Sequence, residues 1–313
     1  MASKELSTND LQEVLTFTLT VAKSAGNLIL EGSKAILTSG NVDEKKNSVD
    51  LVTEYDVRVE ELVKGELNKQ YPTFQFIGEE SYAAGSRPPL SEEPTFCVDP
   101  IDGTTNFVHG FPHVCVSIGL IYKKSPVLGV IYNPFLDQLY YATKGRGAFL
   151  VQRGSEPLKL PLSNPRPLPS LSQALLGIEW GSDRSASMIQ AKGEAFKLLA
   201  GNPREGVEGG RMAHSLRSLG SAALNYAMVA QGGLDIYWPW DICAGAVIAQ
   251  EAGCLVAGSH SSPLDNHVGE EVLNGRKYIV IRAIGDSATE SGVEAQKRLI
   301  KDFYETVTDF EPM

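Results

Sequence analysis

Four strand-like runs follow one another closely, at 114–122, 127–132, 138–143 and 148–151, with room only for tight turns between them. The breaks are Lys-Lys-Ser-Pro, Asn-Pro-Phe-Leu-Asp and Lys-Gly-Arg-Gly, each supplying Pro or Gly where the chain must reverse. Gly145-Arg-Gly147 reads as a hairpin turn within this series. Strands so closely spaced pair as antiparallel neighbours, because a parallel crossover needs a dozen or more residues. The chain must therefore hold a β-meander, and other segments must supply the helices that cover it.

Those segments lie on both sides. Ser7 to Asp10 gives an N-cap signal ahead of Leu11, Val14, Leu15, Leu19 and Ala22, the spacing of an amphipathic helix. A second helical pattern (Val59, Leu62, Val63, Leu67) runs over 56–71 and stops before Pro72. Short strands are expected at 74–77 and 95–98, separated by the Gly/Ser/Pro-rich loop 83–94. The three prolines of 162–170 mark a boundary. Beyond it, strands at 174–179, 234–238 and 277–282 are interspersed with helices at 187–199, 221–231, 241–252 and 293–307. The expectation is an N-terminal half, 1–162, with the meander, and a C-terminal α/β half, 163–313. The two form one catalytic unit with its site in the cleft between them, and no internal repeat.

Hydrophobic residues are 42% and charged residues 21%, the composition of a soluble globular protein rather than a disordered one. Net charge is −10, and no Lys/Arg cluster is dense enough to track a nucleic-acid backbone. No uncharged apolar run reaches the ~20 residues of a membrane span, and the first residues carry no apolar core of a signal peptide. Cys97, Cys115, Cys243 and Cys254 form no C-x-x-C pair, and there is no N-x-S/T sequon. These features set the expectation of a cytoplasmic protein that binds neither nucleic acid nor membrane.

The acidic residues are placed less evenly. Asp99 and Asp102 lie in Cys97-Val-Asp-Pro-Ile-Asp-Gly-Thr-Thr-Asn-Phe107, where a strand is expected to end at Asp99 and a new element to start after Gly103. Unpaired N–H groups just after them would make an anion site. Glu79 follows another strand, Asp241 begins an apolar helix, and Asp56 closes a Thr53-x-x-Asp56 capping box. Each has a plainer reading, as turn residue, solvated acid or helix cap. Their common position at strand ends and helix starts is where α/β sheets collect functional groups. Converging carboxylates repel and take up protons unless cations neutralise them. With no His or Cys in the set, the hard oxygen donors point to Mg²⁺ rather than Zn²⁺. His109 and His113, separated by Gly-Phe-Pro, cannot share a helix face and are taken as structural. Motifs of P-loop, dinucleotide-binding and zincin folds are absent. Cys243 reads as a buried helix residue.

Four pieces together resemble the inositol monophosphatase family: Asp50-Leu-Val-Thr-Glu-Tyr-Asp56, Ile77-Gly-Glu-Glu-Ser81, Asp99-Pro-Ile-Asp-Gly-Thr-Thr-Asn-Phe107 and Trp240-Asp-Ile-Cys-Ala-Gly245. Their order and spacing match, and the similarity extends over most of the chain. The resemblance implies a layered αβαβα sandwich of the inositol monophosphatase and fructose bisphosphatase type, usually a homodimer. It also implies phosphatase activity that depends on two or three Mg²⁺ ions and is sensitive to lithium. Carried over by residue, Glu79, Asp99 and the Ile101 carbonyl would hold one ion, and Asp99, Asp102 and Asp241 the second. Thr104, bonded to Asp56, would orient and help deprotonate the attacking water, with Glu79 a third catalytic group. The amides of Gly103 and Thr104 would grip the phosphate, near Lys45. Ser182, Gly220, Ser221 and Ala222, with Asp102 and Asp241, match positions facing the substrate's alcohol. The implied substrate is inositol monophosphate or a similar small sugar or polyol phosphate.

One segment departs from the family pattern. Asp235-Ile-Tyr-Trp-Pro-Trp-Asp241 is shorter than usual before the Trp-Asp motif and lacks a substrate-contacting glutamate, so inositol selectivity is not implied. Two alternatives stand beside the leading reading. One is a bisphosphate nucleotidase or fructose bisphosphatase-like activity, using the loops 83–94 and 258–273 for a larger substrate. The other is an impaired regulatory protein that binds phospho-sugars without turnover.

Overall fold

The computed structural model describes residues 5–39, 43–44, 51–86, 88–238, 243–275 and 277–307. Lys45 and Asp241, both singled out by sequence, lie outside the described residues. In chain order the first half runs α1 (Thr8–Ser39), β1 (Asp43–Glu44), β2 (Leu51–Val52), α2 (Glu54–Gln70), β3 (Gln75–Gly78), α3 (Glu79–Ala83), β4 (Thr95–Asp102) and α4 (Thr104–His109). The meander follows as β5 (Cys115–Tyr122), β6 (Ser125–Asn133), β7 (Gln138–Thr143), β8 (Ala148–Gln152) and β9 (Leu158–Lys159). The second half runs β10 (Leu175–Ile178), α5 (Ala186–Ala200), β11 (Ser215–Arg217), α6 (Ala222–Gln231), β12 (Ile236–Trp238), α7 (Cys243–Glu251), β13 (Leu255–Ala257), α8 (Glu270–Gly275), β14 (Ile279–Ile281) and α9 (Gly292–Thr306).

Among the described residues two large sheets form. One has the order β3-β4-β5-β6-β7-β8-β9, the other β11-β10-β12-β14-β13. The first is antiparallel apart from the β3–β4 pair, as meander spacing requires. α1 and α2 cover its outer face, with Val14, Leu15, Ala22, Ala25 and Ile29 of α1 buried at helical spacing. α6 and α7 form the middle layer, packed between the two sheets. α5 and α9 pack on the far side of the second sheet, which completes an αβαβα sandwich.

The middle layer is read all round by apolar neighbours, which is why its helices are rich in Ala and Gly instead of amphipathic. Gly119 and Gly129 face each other across β5 and β6, directly under α7. A Cβ at Gly129 would run into the backbone carbonyl of Ala244, and one at Gly119 would lie 3.1 Å from the Ala244 nitrogen. Helix and sheet approach this closely only because both positions lack side chains. Gly129→Ala is accordingly expected to cost about 1–3 kcal/mol of stability, seen as a lower urea midpoint at unchanged slope.

The structure corrects several sequence-based boundaries. β4 does not end at Asp99: Asp99 pairs with Ser117, the register then shifts, and Asp102 pairs again with Cys115. Pro100 lacks a donor and breaks the ladder locally without ending the strand. Residues 79–83, given no element by the sequence apart from the start of the loop at 83, make the helix α3. β9, β11 and β13 were not anticipated, being two or three residues long and held by their neighbours.

Candidate active site

The bulge at Pro100 and Ile101 is the starting point. Ile101 has no partner on β5, so its carbonyl is released from the ladder. It accepts a hydrogen bond from the Thr104 hydroxyl at 3.2 Å. The same hydroxyl lies 3.1 Å from Oδ1 of Asp56, a residue 48 positions away in sequence. Thr104 has one hydroxyl proton for these two acceptors, and Gly103 before it adopts φ 99°, a left-handed conformation that favours glycine. A Cβ there would lie 2.9 Å from the His113 carbonyl and 3.1 Å from that of Gly220. Gly103 is thus doubly constrained, by backbone conformation and by space.

Asp56 is buried, and its other oxygen accepts from the Thr53 amide and hydroxyl, both at 2.7 Å. The capping box expected from sequence is therefore present, and it also holds the carboxylate still. Burial raises the Asp56 pKa from its ordinary value, and the charge of Glu79 adds to this. The bonds from Thr53 and Thr104 act in the opposite direction. The net effect is a carboxylate more ready to accept a proton than a surface aspartate.

Glu79 is the first residue of α3, exposed at its tip. The helix is anchored by Glu60, whose carboxylate accepts from the amides of Glu80 (2.8 Å) and Ser81 (2.9 Å) and from the Ser81 hydroxyl. Asp99 accepts from the Ile101 amide at 3.1 Å across the bulge. Asp102 is held by the start of α6: Ser221 Oγ at 2.7 Å, Ala222 N at 3.0 Å and Ala223 N at 2.6 Å. Cys115 lies 3.7 Å from the same carboxylate. Burial, with Asp102 and Asp99 nearby, holds its thiol protonated, well above its usual pKa.

Of the residues expected from sequence, the structure brings Asp56, Ile101 and Thr104 into contact, and places Glu79 within electrostatic reach of Asp56. Asp99 and Asp102 flank the same bulge. The Ser221 hydroxyl and the Ala222 amide are engaged with Asp102, and Gly220 precedes them at φ 79°. Ser182 is half-buried in the turn after β10. Cys243 is buried against Gly119, and His113 bonds Asn225 at 3.2 Å, with burial lowering its pKa.

Among the described residues no group of three or more His, Cys, Asp or Glu side chains is gathered tightly enough to hold a metal. The expected donor set adds to the described carboxylates the Ile101 carbonyl and Asp241, which lies outside the described residues. Its chemistry fits a hard cation: every donor is oxygen, and the bulge releases a carbonyl beside Asp99.

Sequence reasoning missed a second layer: Glu60, Asn106, Glu179 and Asn225. Asn106 donates to the carbonyls of His113 (2.8 Å) and Leu219 (2.7 Å), tying the two halves together. Glu60 left a usable signal, since it sits one helical turn after Asp56 on α2 and is buried beside Val59 and Val63. For Glu179 there was none, because its partners are about forty residues away.

A family model described as "Inositol monophosphatase family" matches residues 10–303. The chain is 40% identical to protein qutG of Emericella nidulans over 96% of this chain and 95% of that one. It is also 40% identical to inositol monophosphatase 2 of Saccharomyces cerevisiae, covering 84% of each. Among solved structures, SaIMPase-II described as bound to inositol monophosphate superposes with a TM-score of 0.65 at 25% identity. That match spans 94% of this chain and 97% of the other.

Proposed function

Because the chain belongs to the inositol monophosphatase family, we propose that it is a magnesium-dependent phosphomonoesterase acting on inositol monophosphate or a similar small polyol or sugar phosphate. Phosphatase activity follows from the family; the substrate, the metal and the residue roles are our reading. The observation that carries it is the Asp56–Thr104–Ile101 contact, a paired acid and hydroxyl beside a carbonyl released from its sheet.

Bound magnesium would supply neutralisation of the phosphate charge and a lowered pKa for water. Glu79, Asp99 and the Ile101 carbonyl would hold one ion, and Asp99, Asp102 and Asp241 another. The chain's own part is to position and to move a proton. Thr104 takes a proton from the attacking water as it passes its own hydroxyl proton to Asp56, whose raised pKa suits it to that task. The amides at the start of α4, Gly103 and Thr104, lie beside this pair and are read as donors to the phosphate, with Lys45 nearby. Ser182, Gly220, Ser221 and Ala222 would line the alcohol side, and the segments 1–162 and 163–313 act as one catalytic unit.

A cytoplasmic setting is supported by four cysteines that are not joined in disulfides. No helix among the described residues is long and apolar enough to cross a membrane. The homodimer and lithium sensitivity rest on family membership.

The test is phosphate release from inositol 1-phosphate, fructose 1,6-bisphosphate and adenosine 3′,5′-bisphosphate, titrated with Mg²⁺ and then with Li⁺. Preferred hydrolysis of the monophosphate is the expected result. Preference for a bisphosphate would transfer the substrate assignment to the nucleotidase or fructose bisphosphatase class. Binding without turnover at any Mg²⁺ concentration would overturn the enzymatic reading. Glu60→Ala, which releases the tip of α3, is expected to raise the Mg²⁺ concentration for half-maximal activity by about 10- to 100-fold.

A further inference from the structure

We infer that Glu179 is a positioning residue that shapes the 218–222 segment to receive the substrate's alcohol, and so sets selectivity among phosphate esters. This rests on the phosphatase reading above and deepens it. Glu179 follows β10 and reaches across to the loop that leads into α6. Its Oε1 accepts from Leu219 N at 2.9 Å, Gly220 N at 3.0 Å and Asn225 Nδ2 at 2.8 Å. Its Oε2 accepts from Ser218 Oγ at 2.8 Å. Three of these donors converge on Oε1 and one on Oε2, so both oxygens of the carboxylate are turned to the loop. Glu179 therefore acts through the loop that it holds.

The loop it holds is the one whose shape matters. Gly220 stands at φ 79°, its carbonyl close to Gly103 and its α-carbon against the Asn106 side chain. The next two residues, Ser221 and Ala222, hold Asp102. Asn225 extends the network to His113, and Asn106 fastens the Leu219 carbonyl from the opposite side. The segment is thus clamped by an anion on its amides and by an amide on its carbonyl. Ser218 and Gly220 are exposed, so the held backbone borders solvent where an alcohol can enter. Charge-assisted bonds of this kind are the stronger class, and four on one carboxylate give a single side chain control of four consecutive or neighbouring residues.

The experiment compares two esters on full-length enzyme at saturating Mg²⁺: inositol 1-phosphate, rich in hydroxyls, and phenyl phosphate, which has none on its leaving group. For Glu179→Ala the ratio of kcat/KM between inositol 1-phosphate and phenyl phosphate is expected to fall by about 10- to 100-fold, mainly through KM. Glu179→Gln keeps an oxygen for Leu219, Gly220 and Asn225 and should restore the ratio to within about threefold. Melting temperatures are recorded for each variant. If Glu179→Ala does not accumulate folded, Ser218→Ala removes one exposed donor and carries the same expectation at about threefold. An equal loss for both esters, or an unchanged ratio, overturns the inference and leaves Glu179 a structural residue. Wild-type protein that releases phosphate from neither ester overturns the phosphatase reading and the inference with it.

Discussion

Asp99→Asn is expected to lower Mg²⁺-dependent phosphate release by at least about 10³-fold, with folding intact. Asp99 lies at the bulge, is shared by both expected metal sets, and already accepts the Ile101 amide. Asparagine keeps the size and can keep that bond through its oxygen, so the structural consequence is small. The electrostatic consequence is large, because one negative charge is lost from both cation positions at once. Removing a single preorganised donor from an enzyme site typically costs 10²–10³ in rate, and here two positions are affected. Steady-state kinetics over a wide Mg²⁺ range decide the matter. If the variant turns over normally at ordinary Mg²⁺, the two-metal reading is wrong.

Thr104→Ala is expected to reduce kcat by about 10²–10⁴-fold, the range for a lost acid–base group. The reason is specific to this geometry. Asp56 has its second oxygen committed to Thr53, and Thr104 is the group that faces its first. Without the hydroxyl, a buried carboxylate loses a donor and the proton route is broken. Thr104→Ser keeps the hydroxyl and should retain activity within about tenfold, which separates loss of the proton relay from loss of the methyl group. Adding Asp56→Asn to Thr104→Ala should cost little more than either change alone, since the two act as one unit. Fully multiplicative losses would show that they act independently.

The sequence made some parts of this legible and hid others for physical reasons. The meander could be read because each strand is long enough to show its apolar run and each turn carries Gly or Pro. β11 and β13 could not, since three residues have no period and owe their conformation to neighbours far away in sequence. Pro100 misled in an instructive way: it signals a strand end, yet the ladder resumes at Asp102 because Cys115 stands opposite. Thr53-x-x-Asp56 was correctly a helix cap, and its second task at Thr104 appears only when α4 is brought beside α2's first turn. Glu179 was silent because a carboxylate that bonds backbone amides leaves no pattern in the residues it holds. The segment before Asp241 departs from the family pattern, and its end, with Asp241, lies outside the described residues.

The middle layer of the sandwich also bears on how the chain is made. Ribosomal synthesis delivers the whole meander before Ala222–Glu251 exist, so the inner face of the first sheet emerges with nothing to shield it. Tyr140, Ala142, Ala148 and Leu150 belong to that face and share one core with α6 and α7. A nascent chain halted between the halves is thus a sticky intermediate, and its dwell time, not the finished protein's stability, sets how much is lost to aggregation. Slower translation through residues 163–221 should lower the soluble yield, and a chaperone that masks apolar sheet surface should recover it.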